Sequence, residues 1–142
     1  MRRRALRQTG FSLIELLVVL VILGLLAGIV APQFIGEGDK ARPKVAKQQI
    51  ESLGTALDTY KLDVGRYPNT AEGLRALVEK PAGSNRWNGP YLRKSGIPKD
   101  PWDNDYQYRS PGENGRPYDL LSFGADGAPG GEGLNADIVS WQ

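Results

Sequence analysis

Residues 11–31, FSLIELLVVLVILGLLAGIVA, constrain this chain more than any other stretch: in 21 residues the only charge is Glu15. A helix rises about 1.5 Å per residue, so ~20 apolar residues cross a hydrocarbon layer of ~30 Å. A small soluble domain has little use for a helix that is apolar on every side. The run is therefore read as membrane-spanning. Glu15 stands within two turns of its start, where an unpaired carboxylate in lipid costs roughly 3 kcal/mol, and the segment holds no partner for it. Ahead of the run, MRRRALRQTG carries Arg2, Arg3, Arg4 and Arg7 and ends in Gly10. Basic flanks stay on the cytoplasmic side, so the bulk of the chain is expected across the membrane.

Gly10, Phe11 and Glu15, with the run FSLIELLVVLVILG, resemble the type IV pilin-like family, whose signal is a basic leader, a Gly, a Phe and a Glu as fifth residue. That resemblance implies a prepilin peptidase that cuts between Gly10 and Phe11 and methylates the new Phe11 amine. The apolar run would stay, whereas the core of an ordinary secretory signal is removed. It also implies a partner for Glu15, the terminal amine of Phe11 on a neighbouring subunit. Opposite charges ~4 Å apart in a poorly solvated place attract strongly, and pairing removes the cost of leaving either alone. The plainer alternative is a signal anchor that tolerates one Glu near an interface.

Composition narrows the chemistry. The formal charge is +2, but without the four leader Arg it falls to −2, so a basic nucleic-acid binder is not indicated. The absence of Cys and His removes disulfides, thiolate nucleophiles, imidazole bases and the usual zinc ligands together. By resemblance, the lack of Cys also argues against a conventional type IVa major pilin, whose C-terminal region is usually closed by a disulfide. With 18 Gly and 10 Pro, the second half is expected to be rich in loops.

Pro32, just past the apolar run, lacks the N–H for a helical bond, so a kink or local melting is expected there, aided by Gly36 and Gly38. Over residues 40–64, Ala46, Ile50, Leu53, Leu57 and Tyr60 recur at spacings of 4, 3, 4 and 3, one apolar stripe that packs on a sheet. Pro43 is expected either to open this segment or to break a longer helix. Gly65 ends it as the residue just beyond the C-cap. Asn69 and Glu72 stand at capping-box spacing before a short helix that carries Leu74, Leu77 and Val78 and ends before Pro81. Residues 60–81, YKLDVGRYPNTAEGLRALVEKP, and the later WNGPYL and DPWDNDYQY resemble the major pseudopilins of type II secretion systems.

Residues 82–104 hold many turn formers, with Trp87, Tyr91 and Trp102 spaced among them to pack the loop on the domain. Aromatics interleaved with Arg86, Arg93 and Lys94 could also bind single-stranded nucleic acid, but loop packing is the simpler use. Residues 106–110 alternate aromatic and polar as a strand, 111–115 make a turn, and 118–123 return as a second strand. A third short strand or an irregular tail follows near residues 138–141. The predicted fold class is α+β, pilin-like, a long N-terminal helix laid on a small antiparallel sheet.

The tail is the one candidate chemical site. From Asp100 onward eight acids face only Arg109 and Arg116, a charge of −6, and the stretch from Asp126 to Asp137 is Gly-rich without a basic residue. A hard cation would relieve both the repulsion and the lack of a core, because Ca²⁺ takes 6–8 oxygens and accepts backbone carbonyls. The spacing does not match an EF-hand, and a solvated acidic turn is the alternative. The pseudopilin resemblance implies structural calcium here, with Asp126 and Asp137 as carboxylate ligands and the Phe123 carbonyl as a donor. Ala136 stands where some relatives have another acid; Glu132 or the Leu134 carbonyl would then complete the set. With no nucleophile, imidazole or phosphate-binding motif beside the aspartates, an enzyme is not expected.

The resemblance as a whole implies four parts: a cleaved leader over 1–10, a transmembrane filament core over 11–31, a kinked then amphipathic helix over 32–64, and a periplasmic region over 65–142. It implies the major subunit of a type II secretion pseudopilus, made in the inner membrane and in contact with its lipid. The subunit would polymerise into a periplasmic helical filament that drives folded proteins toward an outer-membrane channel. Glu15, Phe11 and Pro32 would serve assembly. Its expected partners are further copies of itself, minor pseudopilins, an inner-membrane assembly platform and the prepilin peptidase, with no nucleic acid. The alternatives are a type IV pilin of a surface fibre and a monomeric membrane-anchored calcium-binding module.

Overall fold

A computed structural model describes residues 10–93 and 96–142, without the side chains of residues 30–37. The leader read over residues 1–10 thus lies outside the described residues save for Gly10, and the side chain of Pro32 lies outside them too. One helix, α1, spans Leu13–Val64. The chain divides into two compact units at Gly38/Asp39.

In the first unit, α1 is apolar on all sides. Leu16, Leu17, Val18, Val19, Leu20, Val21, Ile22 and Leu23 are all exposed within their own chain. Among the described residues no helix is long and apolar enough to cross a membrane. The described side chains of the apolar run end at Ile29, short of the stretch read from the sequence.

Helical structure continues through Pro32 and Pro43, so neither the local melting expected at the first nor the break expected at the second is found. A helical proline removes one hydrogen bond, and at Pro43 the carbonyl that loses its donor is that of Asp39, four residues back. Asp39 is itself half-buried, with its side chain 3.5 Å from Arg42.

In the second unit the predicted stripe is the core. Ala46, Ile50, Leu53, Leu57 and Tyr60 are buried, with Ala56 beside them, against Leu74, Ala76, Leu77, Tyr106 and Leu120. Each fully buried Leu contributes about 2 kcal/mol through removal of apolar surface from water. Gly65 terminates α1 at φ +92°, its N–H donating to the Lys61 carbonyl at 2.8 Å. The capping box forms as predicted: the Glu72 N–H donates to Asn69 Oδ1 and the Asn69 N–H to Glu72 Oε2, both at 2.8 Å. Arg66 clasps the same Glu72 with two bonds of 2.7 Å. The helix that follows is a single 3₁₀ turn, Leu74–Leu77, shorter than predicted.

The sheet has three antiparallel strands in chain order, β1 (Gln107–Arg109), β2 (Asp119–Ser122) and β3 (Ile138–Val139). Tyr108 pairs with Leu120 and Ser122 with Ile138. Tyr106 binds back to α1 through its hydroxyl and the Gln49 side chain. The aromatics of the long loop are used in packing. Trp87 Nε1–H donates to the Ala76 carbonyl at 2.7 Å, Tyr91 meets Trp87 and Tyr60 edge to face, and the Tyr91 hydroxyl donates to Asp63 at 2.9 Å.

Candidate functional site

Two places carry the residues singled out in the sequence. At the first, the N-terminal junction, Gly10 precedes the helix, and a Cβ there would meet nothing among the described residues within 4 Å. Phe11 is 80% exposed. Ser12 caps α1: its carbonyl accepts from the Glu15 and Leu16 N–H groups at 3.2 Å, and its hydroxyl oxygen accepts from the Glu15 N–H at 3.3 Å. The cap holds Glu15 in the first turn, where the positive end of the helix favours a carboxylate. Glu15 is exposed and enters none of the ion pairs found among the described residues. The junction thus presents an exposed Phe11 and, nearby, one carboxylate on an otherwise apolar surface.

The second place is the connection from β2 to β3, which closes on itself because its ends pair through Ser122 and Ile138. Asp126 Oδ1 accepts from the Ala128 N–H at 3.1 Å, and Asp137 Oδ2 accepts from the Gly130 N–H at 3.0 Å. The other oxygen of Asp137, Oδ1, is buried and accepts no hydrogen bond. The Leu134 carbonyl accepts from the Ala125 N–H at 2.9 Å. Phe123 is half-buried, and Glu132 is exposed. Among the described residues no group of three or more acidic side chains gathers as cation ligands, so Asp126, Glu132 and Asp137 do not converge as a trio.

Two buried aspartates near the second place were not singled out as functional residues in the sequence. Asp119, in β2, accepts from Arg116 Nε at 2.6 Å, Arg109 Nη2 at 2.7 Å and the Glu113 N–H at 3.0 Å. The Arg116 guanidinium, with Arg109 behind it, holds the Asp119 carboxyl well below the usual carboxylate range. Arg116 lies over the ring of Trp141, 4.0 Å from its centroid, and so ties the chain end to the hairpin. Asp100 accepts from the Trp102 and Asn104 N–H groups at 3.0 and 2.9 Å and from the Ser122 hydroxyl at 2.6 Å. The step Asp100-Pro101 was its only sequence cue, as an aspartate placed to accept from the turn that follows.

An exposed apolar helix led by a Gly-Phe junction and joined to a small antiparallel sheet defines a pilin-like filament subunit. Residues 6–31 match the prokaryotic N-terminal methylation motif, and residues 33–141 match the model for type II secretion system protein G. The chain is 51% identical to the type II secretion system core protein G of Pseudomonas aeruginosa, over 99% of both chains. It is 50% identical to that of Vibrio cholerae, over 95% of this chain and 92% of the relative. The crystal structure of the major pseudopilin from the type 2 secretion system of enterohaemorrhagic Escherichia coli superimposes with a TM-score of 0.62 at 39% identity. That match covers 75% of this chain and 92% of the other. The chain belongs to the type II secretion system protein G family, whose members are structural pseudopilin subunits rather than enzymes.

Proposed function

We propose that this chain is the major structural subunit of a type II secretion pseudopilus. It is inserted in the inner membrane through residues 11–31, cut between Gly10 and Phe11, methylated on Phe11, and polymerised in the periplasm to drive folded proteins across the outer membrane. The observation that carries this is the first stretch of α1, exposed and apolar through Ile29 save for Glu15, all of it within a methylation motif. Such a surface is stable only when lipid or other copies cover it. Because Gly10 has free space around it, a larger residue there leaves the fold intact and tests processing alone. In Gly10→Val cells the subunit should keep its leader by mass spectrometry, and both filaments and secretion should be lost. Secretion at the wild-type level by uncut subunits would sink the proposal.

The C-terminal loop is the proposed calcium site, held by Asp126, Asp137 and the Phe123 carbonyl, with Glu132 or the Leu134 carbonyl as further donors. Its support is the orphaned Asp137 Oδ1, since a buried carboxylate oxygen without a donor is costly and a cation would satisfy it. Bound calcium would add structural ties between loop and sheet. Melting of the detergent-solubilised full chain should rise in calcium relative to chelator, with about 3 kcal/mol gained at a hundredfold excess over Kd. An identical melt in millimolar calcium and in chelator would rule the site out.

A further inference from the structure

The loop that bears Asp126 and Asp137 is braced at its neck by Asp100, which takes part in no ion pair found among the described residues. Asp100 is only 4% exposed, and its carboxylate is satisfied by donors from two segments. Oδ1 holds its own turn through the Trp102 and Asn104 N–H groups, and Oδ2 takes the Ser122 hydroxyl proton. Ser122 Oγ, itself fully buried, then accepts from the Gly124 N–H at 3.2 Å. Gly124 is where the two sides of the loop cross. Its φ is +74°, and a Cβ there would come within 2.7 Å of the Ala136 carbonyl oxygen and 3.0 Å of that of Leu134. The same turn also reaches the loop beyond Asp126, because a Cβ on Gly127 would lie 3.5 Å from the Asn104 amide.

We propose that Asp100 is a positioning residue for the calcium site, acting through Ser122 to hold the Phe123 carbonyl, Asp126 and Asp137 in one arrangement. This rests on the calcium reading above. A carboxylate is needed because every one of its partners donates. An amide would set its own N–H₂ toward Ser122 and strand the hydroxyl proton in the interior. Groups that orient metal ligands from behind typically cost 10–100-fold in affinity when replaced.

The test measures calcium Kd by competition with a chromogenic chelator, and melting with and without calcium, on the full chain in detergent. Wild type, Asp100→Asn, Ser122→Ala and the double variant are compared. Each single variant should raise Kd at least tenfold and shrink the calcium-induced rise in melting temperature. The double variant should do no more than the worse single one, because both act through one bond. Should Asp100→Asn fail to fold, Ser122→Ala, which removes the bridge from Asp100 to the Gly124 N–H, decides the matter. Variants that melt lower in chelator yet keep the wild-type Kd would show that Asp100 merely holds the domain together, and would overturn the proposal. A wild-type chain that takes up no calcium would instead remove the site itself, and this role with it.

Discussion

The two stretches of α1 follow opposite plans within one element. From Ala46 to Tyr60 the helix has a single apolar stripe, and Leu74, Leu77, Tyr106 and Leu120 of the same chain cover it. From Leu13 to Ile29 it is apolar all round save for Glu15, and no described residue of its own unit covers it. The second stretch is a finished interior; the first is an interface that other molecules must finish. The difference separates what the chain needs in order to fold from what it needs in order to assemble.

The sharpest way to break this contrast is at Glu15. On the expected pairing of Glu15 with the Phe11 amine of a neighbouring copy, replacement by Ala should leave the melting of the domain unchanged and abolish filaments, since loss of one partner of a buried pair costs about 3–5 kcal/mol. Filaments of normal number and length in Glu15→Ala cells would refute the pairing with Phe11. The reverse experiment is in the core. Leu57→Ala should destabilise the domain by about 2–5 kcal/mol in urea unfolding, whereas Leu20→Ala in the first stretch should change it by less than about 0.5 kcal/mol. Comparable losses from both would erase the distinction.

A smaller effect comes from the hairpin. Arg116 and Arg109 depress the Asp119 carboxyl in the folded state, so its contribution is complete above the ordinary carboxylate range. That contribution fades as pH falls from about 4 toward the lowered value. Melting temperature should therefore drop between about pH 4 and pH 2. In Asp119→Asn the drop should be visibly shallower; an unchanged slope would assign the acid sensitivity elsewhere.

What could be read in the sequence was periodic or local. The stripe from Ala46 to Tyr60 repeats on one helical face, and Asn69 with Glu72 is a reciprocal bond between residues three apart, so both were legible. The strands were placed correctly but drawn too long, because their flanking residues alternate as strands do while their backbone turns away. Pro43 misled, since proline propensity counts the one lost bond and not the long helix on either side that outweighs it. Asp100–Ser122 was invisible, as a pair 22 residues apart leaves no pattern in a single chain. At the tail, charge and glycine content pointed to a cation and the pseudopilin resemblance to Asp126 and Asp137, while the buried orphan Oδ1 of Asp137 came only with the structure. Glu132, chosen to complete a ligand set, is exposed.

The pairing of Ser122 with Ile138 means that the acidic connection is tethered at both ends, while residues 125–135 between them are exposed. For such a tethered segment the entropy of closure grows only with the logarithm of length, about 0.6 kcal/mol for each doubling. The two strands therefore act as a frame whose contents can be exchanged. Substitutions at exposed positions such as Ala128 and Pro129 should leave the pairing of β2 with β3 intact.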